Sequence, residues 1–188
     1  MRMKPILIFL ALIAGVVMAF TFSLGLRYHY GRAVLEERML KGEVITEAER
    51  NAVGNIFPRH FVWGMLTGII VSGVHTLVLT YFLGTGKAIK EQMELQQWGS
   101  EEYDRWKKLM ARSVAPSSLG IILIVIAAFS GGFTMITKLP PTGHLIIATI
   151  CVLGQVPIIM WEIAIIRENG KIMDRIVNKL GEDVKLTI

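Results

Sequence analysis

One cysteine, Cys151, stands in a chain of 188 residues. No disulfide can therefore close within the chain, and C-x-x-C-H attachment of haem is excluded. No nucleophile–base–orienter set, paired carboxylates or metal-ligand spacing can be picked out, which argues against an enzyme working by itself. There is no Pro/Ser-rich linker, internal repeat or low-complexity tract. Most telling is the scarcity of charge in four long runs, 5–26, 61–84, 119–137 and 143–166: the first three hold no Asp, Glu, Lys or Arg, and the last holds only Glu162.

A bilayer core needs about 20 mainly apolar residues per crossing helix, and each of the four runs supplies that. They take about half of a chain that is 53% hydrophobic with a mean hydropathy of +0.52, leaving no room for a separate soluble domain. The expected fold is an all-α integral membrane protein. It is a four-transmembrane-helix bundle with short amphipathic helices in the loops and a helical C-terminal tail, one membrane domain over residues 1–188. The first run starts on basic residues but is roughly twice as long as the apolar core of a signal peptide and lacks an A-x-A site, so a retained helix is expected.

Basic residues set the orientation. Arg2, Lys4, Lys87, Lys90, Arg105, Lys107, Lys108, Arg112, Arg167, Lys171, Arg175, Lys179 and Lys185 fall on the side of the two termini. Arg27, Arg32, Arg38, Lys41, Arg50, Arg59 and Lys138 fall on the other. Thirteen against seven places both termini in the cytoplasm, at the plasma (inner) membrane. Tyr28, Tyr30 and Trp63 would then belt the outer face, and Tyr81 and Trp161 the inner one.

The outer loop, 27–60, contains "TEAE", a capping box in which Thr46 starts a helix and Glu49 reaches back to its amide. A short helix is expected to end near Gly54, another to cover 32–40, and Pro58 to reset the chain. The inner loop contains "LGTGKAIKE". A phosphate loop needs G-x-x-x-x-G-K-[ST] between a strand and a helix, so Gly84 and Gly86 are read as the C-cap of a membrane helix. Two amphipathic helices, 87–98 and 101–112, are expected to lie on anionic lipid; the net charge of +5 fits that contact and gives no evidence for nucleic acid. Ile172, Ile176 and Leu180 share a face of the tail, which implies a partner, in this chain or another, and Gly181 supplies a stop.

Lipid is as apolar as Leu, so small residues and polar groups decide which faces of membrane helices meet. The first helix carries Ala11, Gly15, Ala19 and Ser23. The second carries Gly64, Gly68 and Ser72 with His75, and the third Ala127, Ser130, Thr134 and Thr137. On the fourth, His144, Ala148, Cys151, Gln155 and Glu162 fall in a narrow sector at about 100° per residue. Hydrogen bonding between helices accounts for Cys151 and Gln155. His75 and Glu162 are functional candidates because ionisable groups are costly in lipid, and they can reach one another. Pro157 is expected to kink the last helix. A haem b or quinone site could form at His75, which has no histidine at its level, or at the outer His29, His60 and His144 if they converge.

Three readings of function follow. The first is a small inner-membrane subunit of a larger complex, scaffolding other membrane subunits or further copies of itself. The second is an electron-transfer subunit holding haem b or a quinone. The third is a component of a proton or ion pathway along the stripe of the last helix, where His75 or hydroxyls of the third helix would bridge the apolar gap between Gln155 and Glu162.

Overall fold

In a computed structural model, described for residues 3–136 and 140–186, the chain forms five helices: α1 (Met3–Leu40), α2 (Glu47–Gly54), α3 (Ile56–Gln96), α4 (Glu101–Ile136) and α5 (Pro141–Leu186). No strand occurs among the described residues. The segments containing α1, α3, α4 and α5 are long and apolar enough to cross a membrane. These four run up and down in turn. α1 packs on α3 and α5, and α4 packs on the same two from the other side; α1 and α4 occupy opposite corners without touching among the described residues. No more than 28% of any apolar window is buried inside the bundle, so most of the apolar surface faces outward.

The helices outrun any bilayer. Helices of 38, 41, 36 and 46 residues span about 54–69 Å at ~1.5 Å per residue, against a hydrocarbon core of ~30 Å. This corrects several expectations. Residues 87–98 and 101–112 are not separate helices lying on lipid but the ends of α3 and α4, and 32–40 is the end of α1. Their apolar sides close a core with the end of α5, in which Ile89, Trp106, Leu109, Ile172 and Ile176 are buried. The stripe Ile172, Ile176 and Leu180 is thus covered by this chain's own helices. Arg175 clamps Glu102 with two hydrogen bonds of 2.9 and 3.0 Å across that extension, and Lys179 sits over the Trp98 ring at 4.5 Å.

Gly84 and Gly86 do not cap α3, which runs on to Gln96 and is ended by Gln97 in the left-handed region at φ 53°. Gly86 is there for packing: the Trp106 indole occupies the space a side chain would need. Gly181 lies inside α5 and does not stop it. Pro116 and Pro157 both sit within continuous helices. Pro116 has no N–H for the carbonyl of Arg112, four residues back; the Trp161 indole donates to that carbonyl instead, at 3.3 Å.

The capping box is present. Thr46 Oγ1 accepts from the Glu49 amide at 3.3 Å and Glu49 accepts from the Thr46 amide at 2.9 Å. Arg38 binds Glu49 at 2.6 Å and Glu43 at 2.7 Å, tying the connector to the end of α1. Arg38, with the Thr46 donors, holds the Glu49 carboxyl at about 2.

The small-residue faces are only partly where expected. The buried side of α1 is Leu7, Ala14, Met18, Thr21 and Leu24. Ala19 and Ser23 are exposed, and a side chain built on Gly15 would meet nothing within 4 Å. On α3 the buried line is Thr67, Val71, Val74, His75 and Val78, beside rather than along Gly64, Gly68 and Ser72. Thr21 and Thr67 join α1 to α3 through a buried 2.7 Å hydrogen bond. Ser130 of α4 is buried, while Thr137 lies outside the described residues, as do Arg2 and Lys138.

Candidate functional site

Three helices converge on one imidazole. His75 comes from α3, Ser117 and Gly120 from α4, and Gln155 and Glu162 from α5; the side chains of His75, Ser117, Gln155 and Glu162 are 0% exposed. α3 presents His75 because it shares the buried side with Val71, Val74 and Val78. α4 can come close because Gly120 has no side chain: any Cβ there would clash with the His75 ring. α5 brings Gln155 and Glu162 to the same side because a step of seven residues is nearly two whole turns.

The hydrogen bonds fix the protons. Gln155 Nε2 donates to the Gly120 carbonyl at 2.9 Å, which turns its Oε1 toward the ring. An amide oxygen only accepts, so His75 Nε2 donates in the 2.8 Å bond to Gln155. On the other edge, one proton lies between His75 Nδ1 and Glu162 Oε1, 2.8 Å apart. It sits on nitrogen as an imidazolium–carboxylate pair or on oxygen as a neutral imidazole and carboxylic acid. Either way the pair is neutral as a whole, the condition that burial imposes on ionisable groups. Ser117 Oγ donates to the same Oε1 at 2.6 Å.

Another step of seven along α5 reaches Asn169, also 0% exposed, which donates to Thr85 Oγ1 of α3 at 3.1 Å. Gln155, Glu162 and Asn169 form a buried ladder over ~21 Å of helix at ~1.5 Å per residue. Two buried acceptors of the ladder, Glu162 Oε2 and Asn169 Oδ1, have no hydrogen-bond partner.

Of the residues singled out from sequence, the structure brings His75, Gln155 and Glu162 together. Cys151 is buried one turn above Gln155, against the backbone of Ala127. His60 and His144 are neighbours, their ring centres 6.3 Å apart. His29 does not join them: it lies on α1, edge-on to Tyr30 at 5.6 Å. Convergence of the three outer histidines is thereby corrected to a pair. A haem at His75 does not fit the donor set, because both ring nitrogens already hold hydrogen bonds. Ser117, Gly120, Asn169 and Thr85 were not read from sequence. Ser113, Ser117 and Gly120, spaced four and three on α4, were the signal that could have found two of them.

No family model, curated protein or solved structure matches this chain.

Proposed function

We propose that the chain is a small integral protein of the inner membrane that serves as a subunit of a larger assembly, scaffolding partner helices on its outer surface. The observation that supports this reading is the free side of α1. Ala11, Gly15, Ala19 and Ser23 repeat at four-residue steps, yet α1 uses Leu7, Ala14, Met18 and Thr21 to meet its own bundle. In lipid, close backbone approach along small residues is what drives association. With thirteen basic residues toward the termini, that end is the cytoplasmic one, where exposed Lys87, Lys90 and Lys108 would meet anionic headgroups. Gly15→Leu and Ala19→Leu test the idea. Neither residue packs in the bundle, so both variants should keep wild-type helicity and melting temperature while the protein extracted from membranes loses mass. Unchanged mass in both variants would refute the α1 interface.

A second reading, proton movement through the bundle, is favoured by the His75–Glu162 pair. One proton is held between two groups that can each carry it, and Gln155 and Ser117 extend the chain of hydrogen bonds across α4 and α5. In this reading, proteoliposomes carry a proton flux that Glu162→Gln abolishes; the scaffold reading expects none above empty liposomes.

A further inference from the structure

His60 and His144 have a second property in common besides their proximity. His60 Nδ1 lies 3.1 Å from the Thr21 carbonyl oxygen, which only accepts, so this nitrogen carries the hydrogen. His144 Nδ1 lies 2.9 Å from Ser130 Oγ. Ser130 donates its one hydrogen to the Ala127 carbonyl at 2.8 Å, so His144 Nδ1 is again the donor. Both rings are thus held in the form that leaves a bare lone pair on Nε2, and no hydrogen bond to either Nε2 occurs among the described residues. Glycines make room for the rings: Gly25 of α1 lies under His60, and Gly131 of α4 under His144. Both histidines are half-buried.

The geometry points to a binding site for one late first-row transition-metal ion between His60 Nε2 and His144 Nε2. Neutral imidazoles whose other nitrogen is tied to a carbonyl or hydroxyl are the usual ligand form for such ions, and imidazole suits zinc, copper and nickel. Two rings ligating one tetrahedral ion at ~2.0–2.1 Å per nitrogen have their centres about 5 Å apart, so the 6.3 Å seen here closes by about 1 Å when the ion binds. No group of three His, Cys, Asp or Glu side chains that could hold a metal occurs among the described residues, so two imidazoles are the protein ligands and water completes the shell. Thr21 and Ser130 are positioning groups that fix which nitrogen faces the ion. The site lies at the end of the bundle opposite the termini, far from His75 and independent of it.

The test uses the full-length, tag-free protein in lipid nanodiscs, equilibrated with Zn2+ and dialysed, with bound zinc counted by mass spectrometry. Wild type should retain one equivalent. His60→Ala and His144→Ala should each retain less than a tenth of that, and His29→Ala should match wild type. Ser130→Ala keeps both ligands but frees the His144 ring; it should weaken the zinc affinity about tenfold, which guards against a ligand variant that merely misfolds. Zinc retention by the His60→Ala/His144→Ala double variant equal to wild type would overturn the site. So would equal loss in His29→Ala, which would mean unspecific surface histidine binding, or no zinc on wild type.

Discussion

His75 and Glu162, 87 residues apart in the chain, meet through a 2.8 Å hydrogen bond at a point where neither has any exposed surface. The two ends of that bond are not equivalent to substitution. His75→Ala leaves the buried Glu162 carboxyl without its ring partner and Gln155 Oε1 without a donor, whereas Glu162→Gln keeps the shape and can donate from its amide to a neutral imidazole. Breaking a buried pair by removing one partner costs about 3–5 kcal/mol, and exchanging its hydrogen bond for one from a neutral amide about 1 kcal/mol. The average interhelical hydrogen bond in lipid is worth only ~0.6 kcal/mol, but that figure does not describe a buried carboxyl and amide that lose their common partner. Thermal unfolding in nanodiscs should therefore rank wild type first, Glu162→Gln slightly lower and His75→Ala far lower. Equal losses for both variants would contradict this arrangement of protons.

Gly120→Ala presses a methyl group against the His75 imidazole. The bundle must either spread at α4 or expel the ring, and overpacking of this sort costs about 1–3 kcal/mol. The imidazole nitrogen resonances of His75 should shift in the variant because the bonds to Gln155 and Glu162 are both strained. Unperturbed resonances would show that α4 does not approach this closely.

At the connector, the Arg38 guanidinium and the Thr46 donors hold the Glu49 carboxyl at about 2 against an ordinary 4.5. The sign follows from that depression. The unfolded connector binds the proton first as pH falls, so the contribution is fully present above about pH 4.5 and is lost as pH falls through 2. Carbon-13 titration of the Glu49 carboxyl should give a midpoint near 2, moving toward 4.5 in Arg38→Gln. A wild-type midpoint near 4.5 would mean that the ion pair does not form in solution.

How much of this could be read in advance differs by residue. The sector of Cys151, Gln155 and Glu162 was legible because helical period alone sets it, and the reach of His75 followed from depth. Ser117 lies outside the apolar run, which begins at residue 119, while the helix runs on through Pro116, with Trp161 taking up the carbonyl that proline leaves free. Gly84 and Gly86 suggested a helix end because glycine often supplies one. The fit of Trp106 over Gly86 depends on α4, and no local pattern shows it. The buried side of α1 was misjudged for a related reason: small residues mark a surface suited to close packing without saying which helix will use it.

The most direct measurement is the mass of the native particle. Membranes containing the untagged chain at its natural level should be solubilised gently, and the protein's molar mass determined by light scattering with the detergent contribution subtracted. A subunit of an assembly predicts a mass well above the 21.0 kDa of one chain, falling toward that value in Gly15→Leu and Ala19→Leu. A stable wild-type particle of one chain would contradict the account.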